Sequence, residues 1–528
     1  MKFLKKNIKY SFFVMALIFT ISITGQTKSV NKIISKELKK AKTYFDFGDY
    51  LNAINSYRKV LSLDSTNTIA NLNSLISRLA INQVTDSSMR HLSMLKNCTI
   101  PEVQFYAGKI YHLNSNFDEA IKSFVNYKNI SAKKRSISDA EIDYNIACSK
   151  NAIEMVSKPH KVALKNIGGI INSKYPDYVP LISPDEKVLY FTSRREGGVS
   201  NIKDEYGTYY EDVYVSKKGD HGEWQTPVNV GAPINTNTHD ACVALSFDGH
   251  QMIIYRTAQD RVTGDLYISN QDLNGWTVPE KLGAEINTPY IETSACFSND
   301  NSVIYFSSTM PGGFGGKDIY RIKKLPSGKW SVPQNLGAVI NTAYDDDAPF
   351  IHPDGVTLLF SSKGHNSMGD YDVFKTIINH DLNTFSKPEN LGYPINTVNP
   401  DIFFILDASG TKGYFSSIKK ETYGASDIYM IDARFGDNDL KVKQGLVLFT
   451  GQAAKTRISL IDVETNQLAG TYTVNDKTGK FILIMNPLKQ YKISVDALGF
   501  DVFEQIIEPM VQDQKDVQLI LDLNKIKK

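Results

Sequence analysis

Two rhythms of apolar residues divide this chain. Residues 31–157 are rich in helix formers and show no strand alternation, which predicts helices. From about residue 160, short apolar runs (LYFTS, MIIYRT, VIYFSS, LLFSS, GYFSS) recur between Gly-, Asp- and Pro-bearing stretches, which predicts short strands joined by turns. Residues 446–523 alternate with a period of two. Tyr491, Ile493, Val495 and Ala497 fall on one face and Lys492, Ser494 and Asp496 on the other, as in a half-buried antiparallel sheet with a hairpin turn at Thr478-Gly479. Ahead of all three, Lys2, Lys5, Lys6 and Lys9 precede an apolar run from Ser11 to Ile23. A bilayer span needs about 20 apolar residues, so this reads as a signal peptide over residues 1–25, cleaved near Gly25, with an uncleaved anchor as the alternative. The chain is therefore expected in the periplasm, possible as a peripheral protein of the outer membrane, with no direct membrane span.

Within the helical part, Ala41, Tyr44, Gly48, Tyr50, Ala53 and Tyr57 share their offsets with Gly108, Tyr111, Asn114, Phe117, Ala120 and Phe124, Asn114 being displaced by one. Small residues let paired helices approach while aromatics fill the next groove. This resembles the tetratricopeptide repeat, whose period is about 34 residues. Ala41 and Gly108 are then two periods apart, a weaker repeat lies across 67–97, and a helix at 139–156 begins a further unit. Such stacks hold peptides or partner proteins, or serve as rigid spacers.

The middle of the chain carries a five-fold repeat. Ile-Asn-Thr or its equivalent has asparagines at 172, 235, 287, 341 and 396, spaced by 63, 52, 54 and 55 residues. An aspartate follows each (Asp185, Asp248, Asp300, Asp354, Asp407), then an apolar strand, then Asp-x-aromatic at Asp212, Asp265, Asp318, Asp372 and Asp427. An aromatic-x2-Pro closes four units, from Trp224/Pro227 to Phe385/Pro388. Each unit reads as four short strands, so residues 160–436 are expected to form a five-bladed β-propeller, with six blades if residues 195–215 add strands. The fifth unit lacks its outer strand, and the sequence around Val162–Gly168 matches what is missing. Chain ends sharing one blade would close the ring and leave no free edge.

The runs SPDEKVLYFTS, PGGFGGKDIY, GKWSVPQNLGAVINT and HPDGVTLLFSS resemble the WD40-like Pro-Asp repeats of TolB-type propellers. Preceded by tetratricopeptide-like repeats at 31–157, they are similar to PorE-like OmpA-family proteins of Bacteroidota. The resemblance implies a carboxypeptidase-regulatory-like, transthyretin-like β-sandwich at 446–523 and a setting in type IX secretion or gliding. It also implies an OmpA-like peptidoglycan-binding domain beyond Lys528 and a lipid-attachment cysteine. Neither is matched by this sequence, so peptidoglycan is expected to be reached only through a partner.

Composition narrows the chemistry. Lys and Arg total 59 against 57 acids, a net of +2, which leaves no electrostatic footprint for nucleic acid. Four scattered cysteines rule out a disulfide scaffold; Cys98 and Cys148 either form a bridge or are buried thiols, as Cys242 and Cys296 are expected to be. None of the nine histidines forms a His-Glu-x-x-His pair, Gly-x-Ser-x-Gly is absent, and GGFGGKD lacks the Ser or Thr of a phosphate loop. No enzyme activity, metal or cofactor is expected.

Two candidate sites remain. Five residues after each repeat asparagine stands an acid: Asp177, Asp240, Glu292, Asp346 and Asp401. Ring closure would gather them at one channel mouth, with Asp345 and Asp347, as a negative funnel for a cation or basic peptide. Alternatively, each carboxylate bonds backbone or a hydroxyl and holds its blade together. The longest repeat interval contains RREGGVSNIKDEYGTYYED, whose Arg194, Arg195, Tyr206, Tyr209 and Tyr210 are a candidate partner-binding loop. The expected function is a non-enzymatic periplasmic scaffold for envelope proteins. The alternative is a propeller that binds an envelope glycan, peptide or cation.

Overall fold

The computed structural model describes residues 29–82, 86–204, 208–260, 263–272, 275–432, 435, 440–448, 456–474, 479–497, 500–509 and 519–522. The expected signal peptide, Tyr206 and Thr478 lie outside the described residues. The chain divides into two compact units near Ile146 and Ala147.

The first unit is helical: α1 (29–46), α2 (Tyr50–Leu63), α3 (Thr68–Ala80), α4 (Asp86–Met94), α5 (Glu102–Leu113), α6 (Phe117–Lys128) and the start of α7 (Asp139–Ser157). Asp49 caps α2 by accepting from Asn52 N at 3.1 Å, and Asn67 caps α3 through Ala70 N at 3.2 Å. The small residues of the repeat pattern lie where helices meet. Ala41, Ala53 and Ala70 surround Tyr57, and Ala120 sits with Phe105, Phe124 and Tyr127. At Gly108 a Cβ would stand 2.5 Å from the Phe124 ring, so α5 and α6 require glycine there.

Among its described residues the second unit contains five antiparallel sheets from the repeats, one per repeat. Asp177–Ile182, Val188–Ser193, Asp212–Lys217 and Val228–Asn229 form the first, in chain order. The second, third and fourth open with Asp240–Leu245, Ala295–Phe297 and Asp346–Ile351 and follow the same order. The fifth contains Asp401–Leu406, Lys412–Ser417 and Asp427–Asp432, and its outer strand is Ala163–Asn166, with Leu164 opposite Ile431. Within residues 195–215 the described structure adds one isolated bridge, Lys203 to Tyr209, and no additional sheet strand before Asp212.

The apolar runs are buried on both faces because each sheet lies between two others. Ile182, Phe191 and Tyr214 of the first sheet pack on Ile405, Tyr414 and Ile428 of the fifth. Comparable clusters join the first sheet to the second, the second to the third, the third to the fourth and the fourth to the fifth.

After these come two smaller sheets. One orders Lys480–Met485, Lys441–Leu448 and Leu519–Asp522; the other orders Leu468–Thr473, Arg457–Asp462, Tyr491–Asp496 and Phe503–Ile507. Their shared core holds Ile458, Leu460, Tyr472, Leu483, Ile493 and Val495. The first strand starts at Lys441, ahead of the point where the alternation becomes legible. These sheets rest on hairpin turns of the repeats. Asn299 Nδ2 donates to Ala469 O at 2.8 Å, Thr473 N donates to Asp248 Oδ2 at 3.1 Å, and Phe247 and Ala408 join the small-sheet core.

Candidate functional site

The repeat asparagines act as staples. Asn235 Oδ1 accepts from Val213 N at 2.8 Å and its Nδ2 donates to Val213 O at 2.9 Å, so the amide copies a strand partner for the third strand of the preceding sheet. Asn287, Asn341 and Asn396 do the same to Leu266, Ile319 and Val373. Asn172 does it to Ile428, which ties the first repeat to the fifth.

The five acids lie one loop further on, and all are buried. Each accepts from the Thr or Ser of its own Ile-Asn-Thr motif: Asp240 Oδ2 from Thr236 N at 2.6 Å and Oγ1 at 2.7 Å, and Asp401 Oδ2 from Thr397 N at 2.6 Å and Oγ1 at 2.9 Å. Asp177, Glu292 and Asp346 use Ser173, Thr288 and Thr342 in the same way.

Counter-ions distinguish the five. Arg195 reaches Asp177 at 2.6 Å, Arg256 reaches Asp240 at 2.5 Å, and Lys419 reaches Asp401 at 3.2 Å. Each cation also donates to the isoleucine carbonyl of the motif, at Ile171, Ile234 or Ile395. In the fourth repeat Gly364 occupies the position of Arg195 and Lys419, and His365 Nε2 takes the carbonyl of Ile340 at 2.9 Å. Asp346 Oδ1 is left without a hydrogen bond. Ser362 lies beside it without closing the bond that its equivalents Ser308 and Ser417 make to Glu292 and Asp401. Burial pushes the Asp346 carboxyl up to about 7, against the Ser362 hydroxyl and the hydrogen bonds from Thr342. In the third repeat Met310 stands in the cation's position, and Glu292 is held by Thr288 and Ser308.

The Asp-x-aromatic aspartates grip the loops before them. Asp318 accepts from Phe314 N, Gly315 N and Asn335 Nδ2, and Asp427 from Tyr423 N, Gly424 N and Asn166 Nδ2. Lys281 replaces that asparagine in the second repeat and pairs with Asp265 at 2.8 Å. Asp372 Oδ1 has no partner, and burial raises its carboxyl to about 8.

The inner strands carry bulges two residues after the acids, with Val179, Ala348 and Phe403 at φ of 50°, 50° and 59°. The bulge at Val179 turns its N–H to Ser416 Oγ at 3.0 Å, and that at Ala348 to Ser294 Oγ at 3.1 Å, each on the preceding sheet. Asp347 adds bonds from Ser294 and Ser307 and a 2.7 Å ion pair with Lys317. Burial opposes ionisation there, but Lys317 and the hydroxyls outweigh it and hold Asp347 below the usual carboxylate value. Between the inner strands lies an apolar cavity of about 60 Å³, lined by residues including Val179, Val243, Phe247, Phe350 and Phe403.

The described named side chains of the candidate loop turn inward, whereas Val199 and Ile202 between them are exposed. Arg195 lies over the Phe191 and Tyr214 rings as the Asp177 counter-ion, and Arg194 Nε donates to Tyr209 O at 2.9 Å. Tyr209 stacks edge-on with Tyr175, and Tyr210 is buried 4.5 Å from the His239 ring. The counter-ions Arg256 and Lys419 were legible only by aligning the repeats at the ends of their second strands. Nothing in single-repeat spacing marked Lys317 or the cavity lining. The described cysteines are all free, and among the described residues no cluster of three His, Cys, Asp or Glu could hold a metal and no helix is long and apolar enough to cross a membrane.

Residues 38–67 match the tetratricopeptide repeat model, so the chain contains at least one such repeat in its helical unit. No curated protein matches the chain. Among solved structures it is similar to a thermostable family-43 glycoside hydrolase (12% identity, 51% of this chain and 92% of that one, TM-score 0.33). It is also similar to an α-L-arabinofuranosidase from Lactobacillus brevis (16%, 52% and 94%, 0.32) and to Bacillus subtilis levansucrase (9%, 50% and 84%, 0.33). These are enzymes with propeller folds, and an overlap this low brings no activity to this chain. The chain is a tetratricopeptide-containing helical unit followed by a large β-rich region of repeated antiparallel sheets.

Proposed function

We propose that this chain is a non-enzymatic scaffold of the bacterial envelope. The helical repeats hold a partner protein, the five sheets form a closed five-bladed propeller that serves as a rigid platform, and the last two sheets are a transthyretin-like sandwich seated on its hairpin face. Its setting would be the periplasm, at the inner surface of the outer membrane, as an accessory of type IX secretion or gliding, as the PorE-like resemblance implies. The observation that carries the reading is the tetratricopeptide match at residues 38–67. The bonding of the repeat acids supports it, because side chains engaged by their own loops and counter-ions leave little for a substrate. In-cell crosslinking followed by purification of this chain should recover outer-membrane or periplasmic proteins with crosslinks in residues 29–146. Recovery of none would refute the scaffold.

A second reading, a propeller that binds an envelope glycan, peptide or cation at its acid-bearing mouth, is favoured by the unpaired Oδ1 of Asp346. Under this reading, replacing Asp177, Asp240 and Glu292 with Asn would abolish binding and leave the fold unchanged.

A further inference from the structure

We infer that the seam between the first two repeat sheets and the small sheet of Lys441–Leu448 and Lys480–Met485 binds an anionic sugar unit, one that bears a phosphate or a carboxylate. This goes beyond both readings above. The seam lies at the hairpin end of the inner strands, and the repeat acids lie at the opposite end. A cavity of about 350 Å³ opens there, a size that suits a small ligand. The hairpin turns of the first and second repeats form one wall, and Lys217 and Gln271 reach in from their third strands. Gln444, Lys480 and Phe481 of the small sheet form the facing wall.

The basic side chains are particular to the two repeats that border this cavity. Lys187 and His250 each stand directly before the second strand of their sheet, where the other three repeats carry Ser302, Val356 and Thr411. Among the described residues the side chains of Lys187, Lys217, His250, Gln271 and Gln444 have no hydrogen-bond or ion-pair partner. The two carboxylates that also line the cavity are engaged by their own surroundings. Asp185 accepts from Ser183 Oγ at 2.7 Å and Lys187 N at 3.2 Å. Asp248 accepts from Ser246 Oγ at 2.6 Å, His250 N at 3.0 Å and Thr473 N at 3.1 Å.

The chemistry of the walls selects the ligand. Lysine ammonium groups without a carboxylate partner attract an anion as point charges. The amides of Gln271 and Gln444 both donate and accept, as sugar hydroxyls require. Tyr190, Leu245, Phe481 and Ile482 add an apolar surface against which the carbon face of a sugar ring can lie. A bare anion would leave the amides and that surface unused. Past Pro184 and Gln444 the seam continues into a second lobe of about 410 Å³, whose charged lining is Asp185, Glu186, Asp407 and Lys441. Its excess of acids repels an anion and places the charged end of the ligand in the first lobe.

Isothermal titration calorimetry of the full chain at low ionic strength tests the inference with glucose 6-phosphate, glucuronate, glucose and inorganic phosphate. At least one anionic sugar should bind about tenfold or more tighter than glucose and inorganic phosphate, because it alone offers both the charge and the hydroxyls. Which of the two binds tells a phosphate ligand from a carboxylate one. Lys187→Gln with Lys217→Gln should weaken that binding at least about tenfold, and Gln444→Ala on the facing wall about threefold. Lys323→Gln, at the strand position of Lys217 in the third repeat and outside the cavity, should leave it within about twofold. All four positions are exposed, and a circular dichroism melt checks that each variant folds. Absence of binding by both anionic sugars, equally tight binding of glucose or inorganic phosphate, unchanged binding in the Lys187/Lys217 variant, or an equal loss in the Lys323 variant would each overturn the inference.

Discussion

Asp346 offers the sharpest test of how the repeats are held. Its Oδ2 accepts from Thr342 N at 2.6 Å and Oγ1 at 3.1 Å, while Oδ1 is buried without a hydrogen bond, and Gly364 stands where the first and fifth repeats place a cation. The folded carboxyl titrates near 7, against 3.8 when exposed, chiefly because of burial. The folded state therefore holds this proton more tightly than the unfolded one. The cost is absent below about pH 4, grows from pH 4 to pH 7 and is level above that. At 1.36 kcal/mol per pH unit it reaches on the order of 4 kcal/mol at most. Asp346→Asn keeps an acceptor for Thr342 and cannot ionise; its new N–H, beside the Ser362 hydroxyl, changes stability by an amount that does not vary with pH. The assay is urea denaturation of wild type and variant from pH 4.5 to 8.5. The stability of the variant relative to wild type should rise through pH 5–7 and then level off. Asp372 and Asp212, with carboxyls raised by burial to about 8 and about 6, are present in both proteins and largely cancel. A difference that stays flat with pH would refute the reasoning.

Other predictions follow from single contacts. Gly108→Ala should cost the helical unit about 1–3 kcal/mol, because the added methyl meets the Phe124 ring; a thermal melt of residues 29–146 by circular dichroism would show no shift if α5 and α6 were less closely packed. Asn341→Ala leaves Ile319 N and O without their amide partner and should destabilise the third and fourth repeats by about 2–3 kcal/mol, measured by denaturant unfolding. A Lys165→Cys, Met430→Cys pair, opposite each other on the closing strand, should form an intramolecular disulfide detectable by peptide mass spectrometry; failure to oxidise would argue that the first and fifth repeats do not share a sheet.

Much of the architecture was legible because the repeats print their periods in the sequence. The Ile-Asn-Thr spacing located the five repeat sheets, and the short fifth repeat pointed to residues near Val162 for its outer strand, where Ala163–Asn166 pairs with Asp427–Asp432. The alternation of Tyr491, Ile493 and Val495 marked the buried face of their strand. The roles of the polar residues were harder to read. Spacing places five acids at equivalent positions but says nothing about Arg256, which stands in the serine position of its strand, or about Gly364, which stands where the first and fifth repeats place a cation. Arg195 looked like an exposed recognition residue because it lies in a long polar loop, yet it folds back onto Asp177 and two aromatic rings. The inward-facing bulges at Val179, Ala348 and Phe403 depend on backbone geometry that no alternation pattern encodes.

The repeated acids lock each motif loop and its counter-ion to their own sheet and are not reserved for a ligand. Unfolding of Asp177→Asn with Asp240→Asn tests it most directly, since each change leaves a largely buried guanidinium, Arg195 or Arg256, without its carboxylate. Breaking such pairs costs about 3–5 kcal/mol each, so the β-rich unit should lose its cooperative transition or melt far earlier than wild type. An unchanged melting curve, with loss only of some binding activity, would contradict the account and favour the ligand-binding propeller.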